Sequence, residues 1–301
     1  MRKVLGLMTV AALLAACDDR SAEDTTTGGG GGVTPTVPTG GEIAVGDVEA
    51  VSFDGETLLV RVALDGDSVL EEYETAGPGD TVNGYQRFTQ NVSSLNRSYT
   101  ALAGEAGDGS LVAVVTADGG QFNRFFGGAS VVQNDLSAPA GGLVSYQGTY
   151  AGLNNAGPAV PPAVPGAPPT AFTSDAATVT GQVFLNADFT DNKVEGAIYD
   201  REWDNDGTPT ELDDLTLIVG DIAAGGTFSG SVEIGQGSEA TGAGAYSGAF
   251  GGTDAAFAGG VLDIDPAAYG EDADANLKEF GIFIIGQCPG GNAESCFPSP
   301  P

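Results

Sequence analysis

Histidine is absent from this 301-residue sequence, and its only methionines are Met1 and Met8. Without histidine, the chain has no Ser-His-Asp triad, no Cys-His pair and no histidine-bound zinc site. Haem would need tyrosine or a reduced cysteine as its axial ligand, so simple haem binding is disfavoured. A Gly-x-x-x-x-Gly-Lys-Ser/Thr loop is also missing, which argues against nucleotide chemistry.

Basic residues are scarce as well. Ten Lys and Arg stand against 41 Asp and Glu, which gives a net charge of −31. A mature chain without residues 1–16 would lose two basic residues and no acidic one, so that 8 − 41 = −33. Such a charge argues against nucleic acid or an anionic membrane as a partner. It fits plain solubility or, alternatively, a cationic partner.

The N-terminus has the pattern of an export signal. Arg2 and Lys3 precede an apolar run over 4–14 that is too short to span a bilayer. The run ends in Leu-Ala-Ala-Cys, which resembles the bacterial lipobox and makes Cys17 the predicted site of lipidation. We therefore predict a signal peptide over 1–16 and membrane attachment through lipid on Cys17. An ordinary signal peptide with a chance cysteine is the alternative.

Residues 17–41 are predicted to be a lipidated, disordered tether. They contain a Gly-rich centre and almost no apolar side chains, so they cannot offset the entropy cost of ordering the backbone. Once Cys17 is assigned to lipid, Cys288 and Cys296 remain as an even pair in an exported chain. We predict a disulfide between them, with two free thiols as the alternative.

Short strands and turns begin at residue 42. Four Asp-Gly pairs (at Asp54, Asp65, Asp108 and Asp118) divide runs of apolar residues and predict tight hairpins. After the turn at Asp108, Leu111, Ala113 and Val115 can pair with Tyr99, Ala101 and Ala103. We expect a small antiparallel domain over 42–140.

A second domain is predicted over 141–301, with a C-terminal disulfide tail. Eight strands are counted at about 143–151, 177–189, 193–202, 214–222, 226–234, 241–250, 255–265 and 278–287. Eight antiparallel strands suffice to close a barrel and remove exposed edges. The proline-rich connection 152–170 is expected to be a surface loop at one rim, because proline cannot complete a central ladder. The predicted fold class is therefore all-β.

Two features refine the barrel prediction. Tyr146-Gln-Gly-Thr-Tyr150 recurs as Tyr246-Ser-Gly-Ala-Phe250, with aromatic side chains on one strand face and a glycine that leaves space for a neighbouring ring. A recurrent packing device is favoured over a binding role for this repeat. The last strand, 280–286, is apolar on both faces, so we expect one face to fill the barrel and the other to dock against the first domain.

The segments GAYSGAFGGTDAAFAGGVLDID and KEFGIFIIG resemble the β-barrel domain of transferrin-binding protein B and its surface-lipoprotein relatives. That family has a Gly-x-Tyr-x-Gly-x-Phe-x-Gly strand and a closing Gly-aromatic strand near the C-terminus. The matching positions are Gly244, Tyr246, Gly248, Phe250, Gly252, Ala258 and Gly259, then Phe280, Gly281 and Phe283. The resemblance covers about 141–287 and implies that 42–140 corresponds to the family's handle domain, beside the barrel.

The sequence also departs from that family. It has one handle and one barrel instead of two such lobes, and nothing matches a transferrin-contacting surface, so the resemblance does not carry transferrin over. It implies a lipid-anchored protein that binds an extracellular protein or nutrient carrier, often in iron or haem uptake. We predict no enzymatic activity and no cofactor. With 41 carboxylates, a pair with the spacing of an acid/base dyad is expected by chance, so such a pair is not evidence of an active site.

One loop superficially resembles a calcium site. Glu202, Asp204, Asp206 and Asp213 offer oxygen ligands around Gly207. Glu replaces the usual first Asp, the last acid is short, and helical flanks are missing. A solvated loop between strands is favoured over calcium binding.

The leading hypothesis is capture through the handle and the rim loops 152–170 and 203–213, since loops vary without loss of the core. The hypothesis assigns no individual binding residues within these loops. A structural or adhesive envelope protein is the alternative. The family resemblance implies the outer membrane and the cell surface, whereas Asp18 after the cysteine resembles an inner-membrane retention signal and leaves periplasm-facing anchoring as the other option.

Overall fold

The computed structural model describes residues 42–296, apart from 65–66, 76, 78, 93–96, 121–123, 158, 161–172, 206, 236 and 271–272. All of these described residues belong to one compact unit. The predicted signal peptide, Cys17 and the tether lie outside the described residues, as does most of the proline-rich connection. No helix in the described part is long and apolar enough to cross a membrane.

The first sheet is antiparallel and runs in the order β1-β9-β8-β7-β6-β4-β3-β2, with β5 paired to β6. Its strands are β1 Glu42–Gly46, β2 Val48–Phe53, β3 Leu58–Leu64, β4 Asp67–Thr75, β5 Thr81–Val82, β6 Tyr85–Val92, β7 Arg97–Glu105, β8 Leu111–Asp118 and β9 Gly127–Gln133. The two edge strands meet at Glu42, whose Oε1 accepts hydrogen bonds from the Val51 amide at 3.0 Å and the Ser130 hydroxyl at 2.9 Å. The sheet is therefore nearly closed, and a side chain bridges its edges.

Hairpins follow two of the four Asp-Gly pairs as predicted: Asp54 lies between β2 and β3, and Asp108 between β7 and β8. Asp65 and Gly66 lie outside the described residues. The prediction for Asp118 was wrong. Asp118 ends β8 with its carboxylate buried, pairs with Arg97 and accepts the Phe126 amide at 2.9 Å, so the chain reaches β9 through a longer connection over 119–126.

The second sheet is a closed antiparallel barrel of eight strands in the order β11-β14-β15-β17-β18-β19-β20-β21, with β21 pairing back to β11. Its strands are β11 Leu143–Asn154, β14 Ala177–Asp188, β15 Lys193–Asp204, β17 Leu215–Ile222, β18 Thr227–Ile234, β19 Thr241–Thr253, β20 Phe257–Ile264 and β21 Glu279–Gln287. All eight predicted strands are confirmed, and so is the all-β fold class. Alternating side chains and turn residues were sufficient to place them.

Short elements complete the second half of the chain. The strands are β10 Leu136–Ser137, β12 Ala159–Val160, β13 Thr173–Ser174 and β16 Thr210–Leu212. Three 3-10 turns (Gly237–Glu239, Pro266–Tyr269 and Pro289–Gly291) and helix α1, Ala293–Cys296, account for the remaining regular structure that is described. β10 pairs in parallel with β19, and β16 pairs with β15.

The final strand packs on both faces, as predicted. Phe283 and Ile285 belong to the core inside the barrel, whereas Phe280 and Ile282 pack in a second core against the first sheet. β8 forms the other side of this second core, and all its residues are buried. β8 therefore contributes to two cores, since Val112 and Val114 belong to the core of the first sheet.

The predicted pairing between β7 and β8 was wrong by three residues. We expected Tyr99, Ala101 and Ala103 to pair with Leu111, Ala113 and Val115, but Ala101 pairs with Thr116 and Ala103 with Val114. The reason is that β8 is apolar on both faces, so its hydrophobic pattern does not determine the register.

Candidate functional site

The two ends of the barrel differ in their connections. The connections 189–192, 223–226 and 254–256 are short turns at one end, which we call the turn end. The connections 155–176, 205–214, 235–240 and 265–278 are longer and share the opposite, loop-bearing end. Because antiparallel strands alternate in direction, the strand ends that these long connections join lie together. The loop-bearing end is the candidate functional site.

Aromatic side chains fill the barrel behind this end. Tyr146, Tyr150, Tyr246, Phe250 and Phe283 are each at most 1% exposed. The repeated glycine has the predicted packing role: a Cβ at Gly248 would overlap the ring of Phe228, and one at Gly148 would lie 2.7 Å from Ile285 Cγ2. The described interior is thus a packed core, and the surfaces left for a partner are on the outside.

A buried polar cluster lies beneath the long loops. Glu279, at the start of β21, pairs through Oε2 with Arg201 Nη2 on β15 at 2.8 Å. The Tyr150 hydroxyl donates to Glu279 Oε1 at 2.5 Å, and the Tyr269 hydroxyl donates to Oε2 at 2.5 Å. Arg201 and Glu279 are both 0% exposed. The cluster compensates a buried charge pair with two further hydrogen bonds, as such pairs require.

The same cluster holds two loops against the barrel. Tyr269 belongs to the loop 265–278, and Arg201 Nη1 donates to the carbonyl of Asp213 in the loop 205–214 at 2.9 Å. The ring of Tyr269 lies edge-on to Trp203 at 5.5 Å between centroids. Both loops are therefore anchored from inside the barrel.

The electrostatics favour fixed protonation states in this cluster. Burial, and then the negative charge of Glu279, raise the pKa of Tyr150 and Tyr269 well above the usual tyrosine value. Burial alone would lower the pKa of Arg201, but the neighbouring Glu279 carboxylate, together with Tyr150 and Tyr269, outweighs burial and raises that pKa. The arrangement suits a structural anchor, since both tyrosines keep their protons near neutral pH.

Sequence reasoning missed Arg201 because a β-bulge changes the face of β15. Between β14 and β15 the register shifts, so that Tyr199 pairs with Gln182 but Glu202 with Thr180. Asp200 is the extra residue of this bulge and has a positive φ of 52°. Val194 and Ile198 point inward before the bulge, and Arg201 points inward after it. Glu279 carried a weak signal, as the one charge at the start of an otherwise apolar strand.

The calcium candidates do not form a ligand cage in the described residues. Glu202 pairs across the ladder with Glu211, and Asp204 Oδ1 accepts the Gly207 amide at 2.6 Å. Asp213 is exposed, and Asp206 lies outside the described residues. Within the described ranges, no group of three or more acidic or cysteine side chains is placed to hold a metal.

Cys288 and Cys296 lie beyond the last strand, at the turn end. Their sulfur atoms are bonded, with the Cα atoms 5.2 Å apart. The Cys288 amide also donates to the Ser145 carbonyl at 2.8 Å, which fixes the start of this small loop on β11.

Comparison with known proteins gives matches among solved structures only. No family model matches the chain, and no curated protein matches it. An intact transferrin-binding protein B, with N and C lobes, is 15% identical with a TM-score of 0.44, and the match covers 82% of this chain and 46% of that one. A variant of transferrin-binding protein B from Haemophilus parasuis is 14% identical with a TM-score of 0.42. This match covers 79% of the present chain and 53% of the Haemophilus protein.

A third match is the isotype 1 transferrin-binding protein B from serogroup B Neisseria meningitidis, at 14% identity and a TM-score of 0.34. It covers 81% of this chain and 53% of that chain. The present chain thus spans about half the length of the structures it matches. The closed antiparallel barrel that the glycine-aromatic strands implied is present in the described residues.

Proposed function

We propose that this protein is a lipid-anchored surface binding protein that captures an extracellular protein or nutrient carrier at the loop-bearing end of its barrel. The observation that carries the proposal is the asymmetry of the barrel, whose long connections share one end above a filled interior. Loops displayed by a rigid scaffold are where binding residues usually lie. The Arg201–Glu279 pair supports the proposal because it holds two of these loops in place.

The charge of this end favours a partner with a basic contact surface. Each of the three basic side chains in the described barrel, Lys193, Arg201 and Lys278, contacts a carboxylate. Exposed acids remain on the loops and adjoining strand, among them Glu202, Glu211 and Asp214. Opposite charges across an interface raise the association rate and make it salt-dependent.

The proposed setting is iron or haem acquisition, with the carrier as ligand and not the metal itself. The lack of histidine favours a carrier, since the chain offers few ligands for haem iron. The matched structures are named for transferrin, but transferrin is not proposed here because the likeness concerns the fold alone.

Anchoring on the outer membrane at the cell surface is part of the proposal. A lipid on Cys17 and the tether up to residue 41 would let the folded part stand away from the membrane. Cys17→Ala is expected to release the protein from the membrane fraction. Protease treatment of intact cells should then remove the wild-type folded part, and its complete protection would contradict the surface location.

Binding is tested with unlipidated protein and the extracellular fluid that surrounds the cells. One saturable partner is expected. Glu211→Gln with Asp214→Asn should weaken its binding roughly tenfold, because two exposed contacts contribute up to about 1 kcal/mol each. The matched control at the turn end, Asp191→Asn with Glu294→Gln, removes the same charge and should leave binding unchanged. Equal losses in both variants would contradict the assignment to the loop-bearing end.

A structural or adhesive envelope role is the second candidate function. The size of the negative charge supports it, since a net −31 keeps surfaces apart and soluble. Failure to find any saturable partner, together with an altered envelope on deletion of the protein, would favour this role over capture.

A further inference from the structure

The β-ladder between β11 and β21, which closes the barrel, has a local break. β11 and β21 are the first and last strands of the barrel, and their pairing seals the cylinder. Tyr146 and Gln147 pair with Gln287 and Gly286, and the strands pair again from Tyr150 and Phe283 onwards. Gly148 and Thr149 are left out of this register. On its other side, β11 pairs with β14 without interruption from Leu143 to Asn154.

A tyrosine from the first sheet fills this break. The Tyr85 hydroxyl donates to the Thr149 carbonyl at 3.0 Å, and the Ile284 amide donates to the same hydroxyl at 2.8 Å. Thr149 and Ile284 are the residues that would face each other if the ladder were continuous. The hydroxyl thus relays the missing backbone hydrogen bond from one strand to the other. Tyr85 is 4% exposed, so water does not readily replace it.

The neighbouring Asn83 donates hydrogen bonds beside a second irregularity, the register shift between β14 and β15. Its Nδ2 donates to the Tyr150 carbonyl at 2.8 Å and to the Gly181 carbonyl at 2.7 Å. Gly181 lies at the register shift between β14 and β15, where it has no ladder partner on β15. Asn83 occupies the tight turn between β5 and β6 with a positive φ of 49°, a conformation that asparagine tolerates. One hairpin therefore carries both side chains, which we call the seam clasp.

We propose that the seam clasp makes closure of the barrel conditional on docking of the first sheet. Pairing the first and last strands closes a long loop, which is entropically costly and slow. Without the Tyr85 hydroxyl, the Ile284 amide and the Thr149 carbonyl would face an apolar interface unpaired, at a high free-energy cost. The barrel therefore reaches its sealed state only when the folded first sheet supplies the clasp.

The test compares two buried tyrosines of the same sheet in the full-length protein. Tyr85→Phe removes the relay. Tyr73→Phe is the matched control, because it removes a buried hydroxyl that bonds Thr116 at 2.8 Å, within the first sheet. Amide hydrogen exchange is measured by NMR, with the amide of Ile282, a residue paired in register with both neighbouring strands, as internal reference.

Tyr85→Phe is expected to speed exchange of the Ile284 amide at least about tenfold relative to the reference, as loss of one buried hydrogen bond implies. Tyr73→Phe should leave this ratio unchanged. An unchanged ratio in Tyr85→Phe, or the same increase in both variants, overturns the proposal. If Tyr85→Phe does not fold, the wild type decides: a slowly exchanging Tyr85 hydroxyl proton with a cross-peak to the Ile284 amide supports the clasp, and its absence overturns it.

Discussion

Two ion pairs lie at opposite ends of the barrel and differ in their surroundings. Arg201 and Glu279, beneath the long loops, are both 0% exposed, whereas Lys193 and Asp221, at the turn end, are 51% and 83% exposed. Water already solvates the exposed pair, so its charges gain little from each other. The buried charges depend on each other entirely. Of these two pairs, the one at the end where we place function is thus the more sensitive to loss of a single partner.

The largest effect should come from breaking the buried pair. Glu279→Gln leaves the Arg201 charge uncompensated and is expected to cost about 3–5 kcal/mol of unfolding free energy. Urea unfolding followed by Trp203 fluorescence measures this loss, since Trp203 contacts the ring of Tyr269. The double variant Arg201→Met with Glu279→Gln removes both charges and should recover much of the stability. A double variant as unstable as the single one would show that burial of charge is not the cause.

A smaller difference is expected between single hydroxyls at the two ends. Tyr269→Phe removes a hydrogen bond to a carboxylate and should cost about 1.5–3 kcal/mol. Tyr146→Phe removes a bond of 2.8 Å to the Ala255 carbonyl, which keeps a second donor in Gln287, so about 1 kcal/mol is expected. Denaturant unfolding measures the loss of unfolding free energy in each variant. Equal losses would show that the two ends of the barrel do not differ in this respect.

Stability at alkaline pH should depend on the buried tyrosines together, because they stay protonated in the folded protein. Burial raises the pKa of Tyr85 and of Tyr246 to about 12. The unfolded chain releases these protons near pH 10, before the folded protein does, so the stability is complete below pH 10 and is lost as pH rises towards 12. Tyrosinate absorbance during a pH titration should show unfolding together with ionisation. Reversible ionisation near pH 10 with the fold intact would contradict the buried environment.

The smallest effect is expected at the exposed pair. Asp221→Asn should change the unfolding free energy by less than about 1 kcal/mol, and added salt should remove the difference. Thermal unfolding at low and high ionic strength measures it. A loss comparable to that of Glu279→Gln would mean that exposure does not separate the two pairs.

The sequence predicted the strands of the barrel well because alternating side chains and turn residues are local signals. Arg201 was missed because the extra residue at Asp200 reverses the alternation, and bulges have no clear pattern in one sequence. Asp118 was taken for a turn residue because its burial depends on Arg97, which lies 21 residues away. The seam clasp was missed for the same reason, since Tyr85 meets Ile284 only in the folded chain.

The position of β8 between two cores has a consequence for how this protein tolerates change. Val114 packs within the first sheet, and Val115, the next residue, packs towards the barrel. Enlarging or shrinking either side chain disturbs a different interior, with no solvent-facing side to absorb the misfit. Saturation mutagenesis of the whole gene should therefore find this strand among the least permissive stretches.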